Sequence, residues 1–410
     1  MALSLTNDED WKTLLRCLPS DYEALARRHK QVQTQYGNAK ICDGNTLLRF
    51  IFLHAGADLP LRQTVAVMAE AGGPSLSPMR LHKKMGRAAP YLRALVERMV
   101  EWPSLGAPEL WGGYLLTAVD ATVVCGPGAT GTDARIHTKL RVADVSIAAV
   151  EVTDDTGGET FKRFTWERGE LVLADRAYCS PSGVQHVVDD QADVLVRYRL
   201  AGIPLLDASG HTLDVLDQVA PLAVGETLDL DVEAKLSRGK VHGRLIAYRL
   251  ADDAVERARK RLRKELGSVS AQVMEAAKYV LLFTTALRSR LDAERCLQAY
   301  RLRWQIELQF KRWKSLCGFD VLPNFRDDTT LAWLYAKVLL GALLDRMAST
   351  PIELSPPDRH ASVGHFAPDV LRPVEAHDHP LAIAHGGRAA ALPRGRHRSP
   401  AQPRTPLAAD

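Results

Sequence analysis

Helical periodicity dominates the first quarter of the chain. Asp8 or Asp10 is placed to cap a first helix that runs through Cys17. Asp21 is placed to cap a second helix that ends near Gly37. The sequence therefore predicts that the chain begins with short helices.

An apolar segment at 47–56 predicts a buried helix, and two short helices follow at 61–70 and 77–88. A Gly-, Pro- and Ser-containing turn joins the last two, which is compatible with a helix-turn-helix. An ordinary helical hairpin with a solvated basic face is the alternative. The basic residues on the second helix are Arg80, His82, Lys83, Lys84 and Arg87.

The period changes to that of strands after Trp111. Residues 114–124 are β-rich, and their apolar run ends at Asp120. A glycine-rich loop follows at 126–131, and residues 142–152 are strand-like within a predicted hairpin. An acid at the end of a buried strand is costly to desolvate unless it is paired or metal-bound.

A second strand ends in the same way. The segment 170–178 delivers Asp175 after an apolar run, with Arg176 directly behind it. Two strands of one sheet that each present an Asp at the end provide the geometry for a shared divalent-metal site. An Asp that only caps the next turn is the alternative for each residue alone.

The second half of the chain alternates between strand and helix patterns. In chain order the predicted elements are a helix over 181–192, successive strands over 193–252 that include 213–219, a very basic helix over 254–267, a central strand over 278–287 and an amphipathic helix over 327–350. The strands carry cations that can lie against phosphates or face solvent, namely Arg197, Arg199, Lys235, Arg238, Lys240 and Arg244.

The segment 291–318 contains no Pro and no interior Gly, and it predicts one long helix. One broad arc of this helix is apolar and carries Leu302, Ile306, Phe310, Trp313 and Leu316. A polar seam lies opposite, within roughly 60°, and consists of Tyr300, Arg303, Glu307 and Lys314. A lone carboxylate among cations suits a metal ligand beside a polyanion, whereas a solvated charged face is the alternative.

Composition narrows the class of protein. A chain of 410 residues with 46% apolar and 25% charged residues predicts two or three soluble domains. The net charge of +4 requires any nucleic-acid surface to come from local clustering. The six scattered cysteines favour reduced thiols, and neither a signal core nor a membrane span is present, so we expect a cytoplasmic protein. The segment 351–410 holds ten of the 22 prolines and predicts a disordered tail.

The polar seam has the form Y-x2-R-x3-E-x6-K, which resembles the signature of the fourth insertion-sequence family of bacterial transposases. The segments "DAT" at Asp120 and "LADRAY" around Asp175 resemble the contexts of that family's other two acids.

The resemblance implies an α/β fold with an RNase H-like catalytic core, in which helices flank a mixed sheet. The implied organisation is a helical DNA-binding domain (1–105), a first core part (106–192), a β-rich insertion plus basic helix (193–276), a second core part with the catalytic Glu helix (277–350) and a disordered or degenerate tail (351–410).

The resemblance also implies a site. Asp120, Asp175 and Glu307 would be the catalytic metal ligands for two Mg²⁺ ions, with Mn²⁺ as substitute. Contacts to double-stranded DNA are expected from Tyr300, Arg303, Trp304, Lys311, Lys314 and Arg176, and from Arg80, Lys83 and Lys84 in the N-terminal region.

The function implied is a transposase that binds terminal inverted repeats, cleaves the element's ends and transfers strands into target DNA. We expect a homodimer in the synaptic complex, no membrane partner, and a bacterial cytoplasmic, nucleoid-associated location. The alternatives are an RNase H-like nuclease without strand transfer and an inactive DNA-binding remnant.

Overall fold

The structure, a computed structural model, describes residues 7–32, 41–100, 111–126, 134–319, 322 and 327–349. Most of the glycine-rich loop, the region around Gly37 and the predicted disordered tail lie outside these residues.

The N-terminal part is helical, as predicted. Its helices are α1 (Asp8–Arg16), α2 (Tyr22–Arg28), α3 (Gly44–Ala55), α4 (Leu61–Glu70) and α5 (Pro78–Val100). The predicted cap of α1 is wrong, because Asn7 caps this helix by accepting the N–H of Glu9. Asp21 occupies the N-cap position of α2 as predicted, but its side chain makes no cap hydrogen bond, and α2 ends at Arg28 rather than near Gly37. The buried helix expected over 47–56 is α3, which Asp43 caps.

The prediction that the fifth helix ends at residue 88 is wrong. α5 continues through the exposed Pro90 to Val100. Buried side chains beyond Pro90, including Tyr91, Leu92 and Leu95, join the same hydrophobic core as the last helix of the chain. Tertiary packing therefore outweighs the local cost of a proline inside a helix.

Within the described residues, the strands form one nine-stranded mixed sheet in the order β3-β2-β1-β4-β5-β9-β8-β7-β6. The strands are β1 (Leu115–Val124), β2 (Ala134–Arg141), β3 (Ser146–Asp154), β4 (Glu170–Ala174), β5 (Asp193–Arg197), β6 (Leu205–Leu206), β7 (Thr227–Leu236), β8 (Gly239–Arg249) and β9 (Tyr279–Thr284). β1, β4 and β5 are parallel to one another, and the other pairings are antiparallel.

The remaining helices are α6 (Pro181–Asp189), α7 (Val215–Val219), α8 (Asp252–Leu266), α9 (Ala271–Ala276), α10 (Ala293–Leu302), α11 (Trp304–Cys317) and α12 (Asp327–Ser349). Short 3₁₀ helices occur at Phe161–Arg163 and Arg176–Tyr178. None of the helices in the described ranges is both long enough and apolar enough to cross a membrane.

The segment 213–219 is not a strand as predicted but contains α7. The Asp214 carboxylate accepts the N–H groups of Leu216 and Asp217, and this cap favours the helical turn. The basic helix predicted over 254–267 is α8. The resemblance implies an all-β insertion before this helix, but α7 lies among the strands there, and α9 follows α8. β8 pairs with β9, so the strands of this insertion extend the same sheet.

Both faces of the sheet are buried at its central strands. On β4, Leu171 and Leu173 belong to one hydrophobic core, and Val172 and Ala174 belong to a second core on the other face. The first core also contains side chains of α3, α5, α11 and α12, whereas the second contains side chains of α6 and α7. The continuous apolar runs of these strands follow from burial on both sides. The mixed α/β fold is confirmed, while the RNase H-like identity of its core and the domain boundaries stay predictions.

α12 links the N-terminal helices to α11. The fully buried Lys337 side chain donates to Asp58, in the turn between α3 and α4, at 2.7 and 3.0 Å. Gly318 ends α11 at φ +61°, and a Cβ there would lie 3.2 Å from both Asp58 Oδ2 and Lys337 Nζ. One ion pair, buried at its Lys337 end, therefore contacts three elements.

α12 also approaches α11 closely at Gly341. A Cβ at this position would lie 2.8 Å from Trp313 Nε1. We expect Gly341→Ala to lower the free energy of unfolding by about 1–3 kcal/mol, because the buried indole has to shift. Urea unfolding measures this loss. Gly158→Ala is the control, since a Cβ there meets nothing within 4 Å; equal losses for the two variants would contradict the expectation.

Candidate active site

The sequence predicts Asp120 at the end of its strand, and this is wrong. Asp120 lies within β1, four residues before the strand ends. β1 continues because the residues beyond Asp120 pair with β2, up to Val124 opposite Ala134. Its parallel pairing with β4 ends earlier, at Ala118 opposite Leu173. Asp120 is therefore free of the β4 ladder, although it remains in a strand.

The register of the two parallel strands brings the acids side by side. β1 and β4 pair in register up to Ala118 opposite Leu173. When this register is extended by two residues, Asp120 lies beside Asp175. Neighbouring strands lie about 4.8 Å apart. Asp175 directly follows β4, as predicted, and its carboxylate accepts the N–H of Ala177 at 2.9 Å. The exposed fractions of Asp120 and Asp175 are 8% and 3%.

The predicted single helix over 291–318 is wrong in one respect, because it breaks at Arg303 into α10 and α11. Arg303 donates its N–H to the carbonyl of Tyr300, and its own carbonyl accepts the N–H of Ile306, both at 3.2 Å. Such three-residue steps tighten the chain locally. On α11 Ile306, Phe310 and Trp313 are buried as predicted, but Leu316 is 62% exposed.

The polar seam faces the sheet rather than solvent. Arg303 is 8% exposed, and its guanidinium donates through Nη2 to Glu307 Oε1 at 2.5 Å. Through Nη1 it contacts Asp120 Oδ2 at 3.5 Å. Its centre also lies 5.8 Å from the ring of Tyr300. Arg303 therefore joins the carboxylate of α11 to the carboxylate of β1.

The two aspartates resist simultaneous ionisation. Burial, followed by the charge of Asp175, raises the pKa of Asp120 well above its usual range, and Arg303 counteracts this. Burial likewise raises the pKa of Asp175, with Arg303 as the leading opposing charge. Two buried acids beside one another are held by one buried cation, an arrangement that favours a further positive charge.

Sequence reasoning missed Glu159. Burial, followed by the charge of Asp175, raises the pKa of Glu159 to about 7, and its own charge acts on Asp120. Glu159 follows the turn after β3, which the sequence marks only by its glycines. A fourth carboxylate therefore contributes to the negative potential around the two aspartates.

The donor chemistry of the aspartate pair fits a divalent cation. Both residues offer carboxylate oxygens, the donors that Mg²⁺ and Mn²⁺ prefer, and both are buried. Within the described part of the chain, no three His, Cys, Asp or Glu side chains are close enough to hold a metal ion together. Glu307 is instead paired with Arg303. The structure thus brings Glu307 to the site through Arg303.

The other candidate DNA contacts form two groups. On α11, Lys311 is exposed and lies 5.4 Å from the ring of Trp304, and Lys314 is half-buried. Arg176 directly follows Asp175 and is half-buried. On α5, Arg80 and Lys83 are exposed and Lys84 is half-buried. The first group therefore lies on the helix of Glu307 and directly after Asp175, and the second lies on a separate helix.

Arg244 is not available to phosphates. It is 2% exposed, and it donates to Asp229 and to the carbonyls of Ala286 and Leu291. Its role is structural, because it satisfies the backbone between β9 and α10.

The raised pKa of Asp120 predicts a pH dependence of stability. The folded state binds the proton more tightly than the unfolded state, so the free energy of unfolding falls as pH rises above about 4 through the folded pKa. We expect Asp120→Asn, in chelator, to flatten this fall and to raise the unfolding midpoint at pH 8. Thermal unfolding between pH 4 and 8 measures both. The exposed Asp155→Asn is the control; a uniform loss of stability in the Asp120 variant at every pH would contradict the prediction.

Comparison with known proteins gives relatives over most of the chain. InsL, the transposase assigned to insertion sequence element IS186A in Escherichia coli strain K12, is 28% identical over 360 residues, covering 85% of this chain and 96% of InsL. The transposase for IS421 of Escherichia coli is 28% identical over 361 residues, with the same coverage of both chains. A piggyBac transposase synaptic complex with hairpin DNA aligns at a TM-score of 0.44 and 8% identity, covering 82% of this chain and 72% of that one.

A family model also matches this chain. The model of the transposase DDE domain matches residues 111–340, a range that contains Asp120, Asp175 and Glu307. The match covers more than half of the chain. The chain therefore belongs to the transposase DDE domain family.

Proposed function

We propose that this transposase binds the terminal inverted repeats of an insertion sequence, cleaves the element's ends and transfers the strands into target DNA. The observation that carries the proposal is the parallel register that sets Asp120 beside Asp175, with Glu307 joined to Asp120 by Arg303. The finer placement in the fourth insertion-sequence family rests on the Y-x2-R-x3-E-x6-K spacing from Tyr300 to Lys314.

Asp120, Asp175 and Glu307 would hold two divalent ions, Mg²⁺ with Mn²⁺ as substitute. When bound, such ions activate the attacking oxygen and neutralise charge on the phosphate. Asp120 and Asp175 are positioned by β1 and β4, and Glu307 is presented by α11. In this proposal Glu307 binds a metal ion after its carboxylate leaves Arg303 and turns toward Asp120 and Asp175.

DNA would approach along the side of α11 that carries the cations. Tyr300, Arg303, Lys311, Lys314 and Arg176 would contact the backbone of the transposon end, because Arg and Lys donors bind phosphate oxygens. Trp304 would stack on a base. Arg80, Lys83 and Lys84 on α5 would contact the repeats, and a homodimer would bring two ends together in the bacterial cytoplasm, at the nucleoid.

The chemistry is tested at Glu307. We expect Glu307→Gln to lower the rate of nicking of end DNA by at least about 100-fold, because a metal ligand is lost while the shape is kept. Binding of the same DNA should change by less than about threefold. Gel assays of nicking and of mobility measure the two effects. Glu294→Gln on exposed α10 surface is the control; nicking that survives in the Glu307 variant would remove Glu307 from the site.

Strand transfer needs its own assay. Pre-cleaved ends with Mg²⁺ should give joined products with wild-type protein, and the same products should be absent with Glu307→Gln. Nicking without joining would identify a nuclease instead. Repeat binding without nicking in Mn²⁺ would identify an inactive remnant.

The basic helix α8 is a further candidate for DNA contact. It follows β8, whose last residue Arg249 pairs with Tyr279 at the sheet edge where β4 and β5 end. Lys260, Arg261 and Lys264 lie opposite Val255, the residue that α8 buries. Within the described residues, these three cations have no ion-pair partner.

Salt dependence tests this surface. Replacing Lys260, Arg261 and Lys264 with Gln should weaken binding to end DNA and reduce the slope of log affinity against log salt by about 2–3, since each phosphate contact contributes roughly 0.9. Fluorescence anisotropy over a salt series measures the slope. Arg168, which precedes β4 at the opposite edge, is exposed, and Arg168→Gln should leave the slope within one unit. An unchanged slope in the triple variant would show that α8 faces solvent.

A further inference from the structure

One carboxylate of α12 receives hydrogen bonds from several residues of α11. Asp345 Oδ2 accepts Trp313 Nε1–H at 3.0 Å and also the side-chain amide of Gln309. Arg312 Nε lies 3.4 Å from Asp345 Oδ1, and the Arg312 guanidinium also donates to Gln309 Oε1. Asp345 is therefore the shared acceptor for a row of α11 donors.

Two of these donors, Gln309 and Trp313, have no access to water. Gln309 is 0% exposed and Trp313 is 2% exposed. The Trp313 ring stacks on Phe319, with ring centres 5.6 Å apart, and Gly341 leaves room for the indole against α12. Buried donors of this kind require an acceptor, and Asp345 is the acceptor that holds α11 at one rotation and one height.

Glu307 lies on the other side of the same helix. Gln309 is two positions beyond Glu307, or about 200° around the axis, and Trp313 is six positions beyond it, or about 240°. When Gln309 and Trp313 are held against α12, the direction in which the Glu307 side chain projects from α11 is therefore also fixed. A rotation of α11 by about 20° would move the Glu307 carboxylate by roughly 2 Å, enough to disturb a catalytic constellation.

We propose that Asp345 is a positioning residue for the catalytic centre, which sets the rotation of α11 and thereby the approach of Glu307 to Asp120 and Asp175. The inference rests on the proposed function of those three acids. Asp345 itself contacts neither the acids nor Arg303 among the contacts described, and it acts through Gln309 and Trp313.

The test compares Asp345→Ala with a variant that destabilises α12 on its opposite side. Leu339 is fully buried and lies about 200° from Gly341 and 120° from Asp345 around the helix, so Leu339→Ala creates a cavity without removing an α11 acceptor. Both proteins are assayed at a temperature at which circular dichroism shows them folded.

At saturating Mn²⁺ and end DNA, we expect Asp345→Ala to lower the cleavage kcat about 10- to 100-fold. Saturation with DNA separates this loss from the change in DNA Kd that follows when the cations of α11 move. Leu339→Ala should keep kcat within about twofold of wild type. Trp313→Phe, which removes one donor and keeps an aromatic ring, should also lower kcat. In the double variant, Trp313→Phe should lower kcat by less than it does alone, because Trp313 and Asp345 share one hydrogen bond. Equal kcat for the Asp345 and Leu339 variants would overturn the proposal.

A second readout does not depend on cleavage. The side-chain nitrogen signal of Arg303, assigned by its loss in Arg303→Lys, should shift in Asp345→Ala and stay in place in Leu339→Ala, because the Arg303–Glu307 contact follows the rotation of α11. An Arg303 signal that is unmoved in Asp345→Ala would overturn the positioning role. If wild-type protein cuts no DNA, the proposed function fails, and the Arg303 signal alone decides whether Asp345 positions Glu307.

Discussion

The acid site depends on the contacts that the Arg303 guanidinium makes with two carboxylates. The guanidinium is buried, and it contacts Asp120 on β1 and Glu307 on α11. Without a cation there, the paired aspartates would face one another in a poorly solvated place, an arrangement that proteins avoid unless a counter-charge is present. The break between α10 and α11 occurs at this residue, so the backbone turn and the ion pairs meet at one position.

Much of the fold follows from local patterns. The apolar runs before Asp120 and Asp175 predict β1 and β4, and burial on both faces explains why these runs hardly alternate. The buried arc of α11 is also predictable, because Ile306, Phe310 and Trp313 repeat at helical spacing. The candidate acids were therefore identifiable before their geometry was known.

Other features depend on contacts between distant residues. The helix breaks at Arg303, whose guanidinium contacts Asp120, 183 positions away in the chain. The burial of Arg244 depends on carbonyls of Ala286 and Leu291, and the role of Glu159 depends on Asp175. The residues around them have ordinary propensities. Periodicity carries no signal for such long-range pairs, and they require the folded chain.

α12 packs in the same core as α5 and α3, and it also binds α11 through Asp345. The helices with the candidate repeat contacts and the helix with Glu307 are thus built on one shared partner. A chimera that took residues 7–100 from a relative would have to bring the matching surface of α12, and Lys337 with it. The proposed recognition of ends by these helices is therefore not an independent module of this scaffold.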